Sequence, residues 1–392
     1  MFKKSLAAVA VLGAFAGSAL AADVQLYGRV DMGVSYFDQT LSATGEKDVE
    51  KHGFSLDDGN STGSRFGLKG TEDLGNGLKV GFVLENGFKS DTGVMKDSGR
   101  LFDREATLSI AGDFGTFYAG RMGSLISDAG SVGFYAGTVS PFGSGWSKIS
   151  GHTGLFADYT GRYNNAVAYV SPDFAGLKVY AQYAMGDKND NKSTNERYGA
   201  LGAKYVVGPL EVATVFDYTN KASSFKTMRA DFEDTYTFNL GGSYDFGFLK
   251  TFVATQYFKN ASDVANIFDT TIDAMELDLT ADQKDVLKFV RNGICADGWG
   301  LNLGVTAPVF GGTVLASTGY MDGEAKFKMD GEESAGHLDL NAYAFSVGYQ
   351  YPLSKRTSVY AGAGYTKQQI KEPGWKGENE VYQVMSGLVH KF

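Results

Sequence analysis

The chain has 392 residues, of which 36 are Lys or Arg and 45 are Asp or Glu, so its formal net charge is −9. This acidity argues against a nucleic-acid-binding protein, and the single cysteine, Cys295, excludes a disulfide framework. After the N-terminal segment there is no apolar run of the roughly 18 residues that a transmembrane helix needs. A content of 52 Gly, 28 Phe and 22 Tyr with only 6 Pro favours a large β-rich protein with many tight turns.

The N-terminus predicts an export signal. A basic start is followed by an apolar stretch over residues 6–15, which is too short to span a membrane, and Ala21 closes a motif of small residues. We expect residues 1–21 to be removed as a signal peptide, leaving residues 22–392 as a single domain with a net charge of −11. Export of such a chain suggests a bacterial envelope protein.

The mature sequence consists of period-2 segments of about ten residues separated by turn signals, a pattern typical of transmembrane β-barrels. In the first segment Leu26 and Val30 lie on an apolar face, whereas Arg29 and Asp31 lie on a polar face. Sixteen strands are predicted, at 24–37, 62–72, 77–89, 100–111, 115–122, 161–171, 176–186, 196–207, 209–220, 232–245, 248–259, 298–307, 312–322, 337–351, 356–370 and 378–392.

The connections between these strands alternate strictly between short and long. Seven are short and rich in Gly, Pro or Asp, around 75–76, 112–113, 172–173, 208–209, 245–247, 308–311 and 352–353. Eight are longer, at about 38–61, 90–99, 123–160, 187–195, 221–231, 260–297, 323–336 and 371–377. An outer-membrane barrel has short periplasmic turns and long external loops, whereas a soluble β-sandwich has no reason to sort its loops in this way. A soluble β-propeller is the remaining structural alternative.

The predicted fold class is therefore all-β, a transmembrane antiparallel β-barrel of about sixteen strands. A barrel of this size has an aqueous lumen, with its apolar side chains facing lipid. Two aromatic girdles are expected from residues near strand ends, Tyr36, Phe88, Tyr169, Tyr180, Tyr257, Tyr320 and Tyr360. A capping box at Thr280 predicts a short helix over 281–291 inside the long loop 260–297, where Cys295 is also placed.

Five segments carry recognisable motifs: VQLYGRVD at 24–31, SRFGLKGTEDLG at 64–75, DFGT with GR over 113–121, YNN with SPDFAGL over 163–177, and GLVHKF at 387–392. Together they resemble the trimeric porins of Gram-negative bacteria, especially those of betaproteobacteria and Neisseria. The resemblance covers the whole mature chain and is strongest over 24–180 and at the C-terminus. It implies an outer-membrane location, a homotrimer, and recognition of the terminal Phe392 by the barrel-assembly machinery.

Basic residues are the candidates for the eyelet, the narrowest part of the pore. Strand parity places Arg29, Arg65 and Arg162 on the lumen face, and the resemblance implies that Arg65, Arg104 and Arg162 form an eyelet cluster. Simple alternation would turn Arg104 towards lipid, so an inward Arg104 requires a bulge or a changed register. Arg121 is a further candidate.

The loop 123–160 is long enough to fold into the barrel, as the third external loop of the family does. Its tip reads Ser-Pro141-Phe142-Gly143, without the glutamate of the Pro-Glu-Phe-x-Gly motif that many porins carry. The only carboxylates of the loop are Asp128 and Asp158. An arginine cluster that faces few acids predicts a preference for anions.

The charges at the mouth of the pore favour cations instead. The loops at 38–61, 260–297 and 323–336 together carry a charge of −11, equal to that of the mature chain. Charges at the mouth are screened over about 8 to 10 Å, so we expect the eyelet to dominate and to give a weak anion preference. The acidic loops are interpreted as a surface that bridges lipopolysaccharide through divalent cations, as a calcium-binding surface, or as a solvated, repulsive surface.

The leading functional hypothesis is a general diffusion porin for passive passage of ions and small hydrophilic solutes across the outer membrane. One alternative is a substrate-specific channel for small organic anions or phosphate, and another is a surface interaction protein that uses its acidic loops. The four histidines show no metal-ligand spacing and no nucleophile motif occurs, so no enzyme activity, cofactor or metal is expected. The expected partners are outer-membrane lipid and lipopolysaccharide, with no nucleic acid.

Overall fold

The computed structural model describes residues 24–157, 161–186, 196–220, 234–261, 264, 295–329 and 332–392. The predicted signal peptide, the helix predicted over 281–291 and Asp158 all lie outside the described residues. Within the described ranges, no helix is long and apolar enough to cross a membrane.

Seventeen strand segments and two short helices make up the described structure. The strands are β1 (Gln25–Ala43), β2 (Val49–Asp58), β3 (Arg65–Gly75), β4 (Leu78–Gly87), β5 (Glu105–Gly112), β6 (Gly115–Gly123), β7 (Arg162–Val170), β8 (Leu177–Ala184), β9 (Arg197–Val207), β10 (Leu210–Asn220), β11 (Thr235–Asp245), β12 (Lys250–Ala261), β13 (Cys295–Val309), β14 (Gly312–Met329), β15 (Glu332–Pro352), β16 (Thr357–Glu372) and β17 (Trp375–Lys391). The helices are α1 (Tyr135–Val139) and α2 (His152–Leu155).

The strands form one closed antiparallel sheet. From β3 to β17 each strand pairs with the next one in the chain, and β1 closes the barrel by pairing with β17, with Arg29 opposite Lys391. Both β2 and β3 pair with β1, β2 along its second half and β3 along residues 25–29, so they share one position in the wall. The described wall therefore has sixteen positions, and the predicted barrel is confirmed.

The two faces of each strand differ as the alternation predicts. On β17, Tyr382, Val384 and Leu388 are exposed on the outer face, whereas Met385 and Val389 are buried on the inner face. Outward aromatic rings form contacts from strand to strand, for example Trp299 with Tyr320, Tyr320 with Tyr343, and Tyr365 with Tyr382. Exposed apolar side chains outside a lumen of polar residues are the arrangement that a lipid bilayer requires.

Two of the aromatic residues assigned to the girdles lie inside the barrel instead. Tyr180 is buried against the ring of Phe134, and Tyr360 is buried with its hydroxyl on Asp31. Their assignment was wrong because proximity to a strand end does not determine which face a side chain occupies. Parity within β16 places Tyr360 on the inner face together with Gly362 and Gly364.

All seven short turns occur where they were predicted, but three of the eight long connections are mostly strand. The segment 38–61 holds the end of β1 and all of β2, 323–336 holds the ends of β14 and β15, and β16 and β17 meet at 372–375. Cys295 likewise begins β13 instead of lying in a loop. Beyond the membrane both faces of a strand contact water, so period-2 hydrophobicity fades although the backbone pairing continues.

Candidate functional site

The connection between β6 and β7, here called the inner loop (residues 124–161), runs along the inside of the barrel wall. Its helix α1 packs against β10, β11 and β12, and its helix α2 packs against β13, β14 and β15. Buried apolar side chains of the loop, such as Leu125, Ile126 and Leu155, form a core with inward residues of the wall. The prediction that this loop folds into the lumen is confirmed.

Inward-facing glycines of the wall make room for the inner loop. A Cβ on Gly304 would lie 2.5 Å from Cδ of Pro141, and one on Gly319 would lie 2.1 Å from Cδ1 of Leu155. Further contacts of this kind join Gly202 to Phe134, Gly241 to Val139, Gly362 to Trp146 and Gly364 to Ile149. Side chains at these positions would push the loop into the pore, so the glycines determine how wide the lumen stays.

Buried amide side chains of the wall attach the inner loop at both ends. Gln182 accepts a hydrogen bond from the backbone N–H of Leu125 at 3.2 Å and donates to the carbonyl oxygen of Gly123 at 2.9 Å. Gln256 makes the same pair of contacts with Ala157, at 2.6 and 2.9 Å. Each side-chain amide thus takes the place of a neighbouring strand. It bonds backbone N–H and C=O groups that would otherwise be buried without a hydrogen-bond partner.

His152 connects the middle of the inner loop to the wall. Its Nε2 lies 3.2 Å from the side-chain amide of Asn302 on β13 and 3.1 Å from the hydroxyl of Ser140. Because the Asn302 amide donates, Nε2 accepts through its lone pair and the imidazole is neutral. Burial lowers the pKa of His152 to about 4.

The tip of the inner loop docks on the gap between β2 and β3, residues 59–64. The backbone N–H of Trp146 donates to the carbonyl oxygen of Ser61 at 3.0 Å. Nearby, the ammonium group of Lys148 lies 2.6 Å from the carboxylate of Asp57. The only lysine of the loop is therefore neutralised by the wall.

Asp31 organises the gap on which the tip rests. Its buried Oδ2 accepts hydrogen bonds from the backbone N–H groups of Ser61 and Thr62, at 2.9 and 2.7 Å, and from the hydroxyl of Ser61 at 3.0 Å. Its Oδ1 accepts from the hydroxyl of Tyr360 at 2.6 Å. Strand parity had placed Asp31 on the lumen face, but its role in holding this segment was not predicted.

Five arginines, here called the arginine cluster, were the predicted eyelet residues: Arg29, Arg65, Arg104, Arg121 and Arg162. Arg29 on β1 lies directly opposite Arg65 on β3. Both guanidinium groups donate to the hydroxyl of Thr62, at 3.3 and 2.9 Å, and Nε of Arg65 also donates to the carbonyl oxygen of Gly63 at 2.9 Å. The segment held by Asp31 therefore orients these two arginines.

Arg104 faces the lumen without a bulge. The predicted strand 100–111 begins only at Glu105, so Arg104 precedes β5 and the strand parity does not apply to it. Its Nε lies 2.6 Å from Oε1 of Glu85, which also lies 3.8 Å from Nη1 of Arg65. The requirement for a bulge or changed register at Arg104 was wrong because the start of the strand was placed too early.

The register does shift at Arg121, between Gly120 and Met122 in the pairing of β6 with β7. Gly120 has φ +135°, and a Cβ there would lie 2.0 Å from the carbonyl oxygen of Ala106, so only glycine fits. The shift turns Arg121 towards Asp103, whose carbonyl oxygen accepts from Nε at 2.6 Å, and its Nη1 donates to Asn164.

The carboxylates around the cluster are less exposed than Arg29, Arg65, Arg121 and Arg162. Glu85, Asp103 and Glu105 are all buried, as is Arg104, whereas the other four arginines are only partly buried. Among the described residues, the buried Nε of Arg162 has no hydrogen-bond acceptor. Parity assigns Glu85 to the lumen face, but only the folded structure shows that these acids are buried.

The residues predicted for the constriction loop fall into two groups. Pro141 and Phe142 pack on the wall, Phe142 against Trp146, so their side chains do not face the pore. Asp128 is exposed in the lumen and accepts a hydrogen bond from the backbone N–H of Ser144 at 3.0 Å. Gly143 has φ +56°, and a Cβ there would lie 2.2 Å from the Asp128 carboxylate.

A closed sixteen-position β-barrel, narrowed by a loop folded into its lumen and lined by arginines, is the architecture of a porin. A family model described as Gram-negative porin matches residues 7–371. The chain therefore belongs to the Gram-negative porin family, whose members are channel proteins of the outer membrane. Its function is passive diffusion across that membrane.

Several relatives share nearly the full length of the chain. It is 32% identical to an outer membrane porin protein of Bordetella pertussis over 388 residues, covering 93% of this chain and 94% of that one. It is 28% identical to major outer membrane protein P.IB of Neisseria gonorrhoeae, covering 100% of both.

Among solved structures, the anion-selective porin from Comamonas acidovorans aligns with a TM-score of 0.64 at 23% identity, covering 95% of this chain and 100% of that one. The trimer form of OmpT of Vibrio cholerae aligns with a TM-score of 0.55 at 16% identity, covering 95% and 100%.

Proposed function

We propose that this porin passes small hydrophilic solutes without a dedicated substrate and that its arginine cluster gives it a preference for anions. The observation that carries the proposal is the layering of charge at the cluster. The side chains of Arg29, Arg65, Arg121 and Arg162 are partly exposed, whereas Glu85, Asp103 and Glu105 are buried. A permeating ion therefore meets the positive layer first, and rings of charged side chains of this kind set selectivity in channels.

The inner loop also borders the passage. It carries Asp128 as an exposed carboxylate, and its Lys148 is paired with Asp57. The eyelet is then the space between the arginine cluster and the inner loop. Transport needs no conformational cycle, because a hydrated solute crosses a water-filled lumen down its own gradient.

The arginines act as fixed charges, since their surroundings hold them in place. Glu85 pairs with Arg104 and accepts a hydrogen bond from the hydroxyl of Tyr27 at 3.1 Å. Thr62 and Gly63 hold Arg29 and Arg65 through neutral oxygens, which leaves their positive charge in place. Fixed charges in a confined lumen interact more strongly with a passing ion than screened charges at the mouth.

The remaining partners and processing steps are also proposals. We infer a homotrimer, for which the trimeric form of OmpT with the same fold provides support. Removal of residues 1–21 would leave β1 near the mature N-terminus, where Gly28 exchanges two backbone hydrogen bonds with the terminal Phe392. Phe392 is 45% exposed beside the closing strand, and we expect the barrel-assembly machinery to recognise it. Outer-membrane lipid and lipopolysaccharide are the expected surroundings.

The test is the reversal potential of the purified protein in a planar bilayer under a KCl gradient, for the wild type and for Arg65→Gln. The wild type should show an anion-sided potential. In water one charge about 5 Å from the ion contributes about 0.8 kcal/mol with opposite sign for an anion and a cation, so Arg65→Gln should lower the anion-to-cation permeability ratio by about an order of magnitude. Arg356→Gln, in an exposed turn at the other end of the barrel, is the matched control. A cation-sided wild type, or equal ratios for both variants, would refute the arginine filter.

A further inference from the structure

The external loop between β4 and β5, residues 88–104, folds back onto the barrel. Phe88 forms a β-bridge with Met95, and the backbone N–H of Lys89 donates to the carbonyl oxygen of Val94 at 2.8 Å. The next residue, Lys96, donates its N–H to the carbonyl oxygen of Gly87, the last residue of β4, at 2.9 Å. These bonds hold the backbone of Lys96 beside the wall at the height of Arg104.

The side chain of Lys96 lies against the arginine cluster. A Cβ placed on Gly63 would lie 3.6 Å from Nζ of Lys96 and 3.4 Å from Nη1 of Arg104. The two cationic nitrogens are thus within about 7 Å of each other, a distance at which unit charges interact measurably. The other charges that act on the ammonium group are those of Asp58, Arg162 and Asp103.

Lys96 differs from the neighbouring cations in its exposure. The side chains of Arg65 and Arg104 are only 16% and 9% exposed, and both contact Glu85. Lys96 is exposed and extends from the external side of the cluster, in a loop that precedes Arg104 in the chain. Desolvation inside the barrel and the guanidinium charge of Arg104 lower the pKa of Lys96, which is consistent with a position within the lumen.

We propose that Lys96 is a specificity-determining residue of the pore, the cation that an anion arriving from outside meets before the arginine cluster. This inference rests on the proposed anion preference and adds a residue from a second external loop to the filter. The loop 88–104 then has a function in permeation: it places an exposed ammonium group in front of guanidinium groups that are hydrogen-bonded to the wall.

The test compares reversal potentials of the full-length protein in a planar bilayer under a KCl gradient. Lys96→Gln should lower the anion-to-cation permeability ratio about sevenfold, because one unit charge about 7 Å from the ion in water changes the permeability of an anion and of a cation by about 2.7-fold each in opposite directions. Lys96→Glu changes the charge by two units and should lower the ratio by about the square of that factor. Lys96→Arg should retain the wild-type ratio. Lys47→Gln, in the exposed turn between β1 and β2, removes the same charge away from the cluster and should change nothing.

Charge can also be changed after folding, which protects the test against misfolded variants. In a Cys295→Ser background, Lys96→Cys would be labelled with a negative or a positive methanethiosulfonate reagent, with labelling verified by mass. The negative label should lower the anion preference and the positive label should restore it. Equal ratios for both labels, or an unchanged ratio in Lys96→Gln while Arg65→Gln shifts it, would overturn the role of Lys96 and leave the arginine filter intact. If neither variant shifts the ratio, both proposals fail.

Discussion

Replacing Asp31 by Ala should loosen the tip of the inner loop, although Asp31 does not touch the loop. The substitution removes the acceptor of the two backbone N–H groups of Ser61 and Thr62. The hydroxyls of Ser61 and Tyr360 can turn to other acceptors, but the two N–H groups cannot. The carbonyl oxygen of Ser61 accepts the hydrogen bond from the N–H of Trp146 at the loop tip. If residues 59–64 lose their fixed conformation, the tip of the inner loop therefore loses this attachment.

The magnitude follows from the hydrogen bonds at stake. A buried donor that loses its acceptor costs about 1 to 3 kcal/mol, and the partly buried N–H of Thr62 adds less than that of Ser61, so the free energy of unfolding should fall by about 2 to 4 kcal/mol. Asp31→Asn keeps one carbonyl oxygen in place and loses only the reinforcement by charge, for which we expect about 1 to 2 kcal/mol.

The assay is equilibrium unfolding in urea of the barrel folded into lipid vesicles, followed by tryptophan fluorescence. Single-channel recordings of the same variants should show increased current noise for Asp31→Ala, since Trp146 loses its fixed partner. Asp38→Ala is the matched control, because Asp38 lies on the same strand and its recorded hydrogen bond is an exposed one to Tyr36 at 3.5 Å. An Asp31→Ala variant as stable and as quiet as this control would refute the reasoning.

Two further predictions concern the width and the pH dependence of the constriction. Gly364→Ala places a Cβ 2.6 Å from the carbonyl oxygen of Ile149, so the inner loop must move into the lumen and single-channel conductance should fall. Gly199→Ala, whose nearest atom is 3.9 Å away, should leave conductance unchanged, and equal values would contradict this account. The buried neutral His152 has its pKa lowered from 6.5 to about 4, so the folded state binds its proton only at lower pH. Its contribution to stability is complete above pH 6.5 and is lost as the pH falls towards 4, by about 3 kcal/mol in all. His152→Gln should be less sensitive to pH over this window in urea unfolding, and an unchanged slope would contradict the assignment.

Strand number, turn positions and the lumen face of most strands could be read from the sequence because they depend on local patterns. Period-2 alternation in β1 correctly places Arg29 and Asp31 on the inner face, and Gly, Pro and Asp mark every periplasmic turn. The motif resemblance, now supported by the family match, correctly indicated a loop folded into the lumen.

Local patterns failed where a residue leaves the regular part of a strand. Arg104 precedes β5 and Arg121 lies at a register shift, so counting residues cannot show the direction of either side chain. Tyr360 is of a residue type found in aromatic girdles, but it lies on the inner face against Asp31. The extended wall over 323–336 was missed because its strands lie beyond the apolar band that produces the alternation.

The sequence by itself determined the class of protein: an exported chain of alternating segments whose apolar faces can only be satisfied by lipid. Tertiary structure alone decided which charges meet. Glu85 pairs with Arg104 across 19 positions of the chain, and Asp31 bonds to Tyr360 across 329. Such pairs depend on strand register and on the closure of β1 against β17. Both are determined by the hydrogen bonds along the whole wall and not by any one segment. Side-chain parity is a local property, whereas the composition of the pore is a property of the closed barrel.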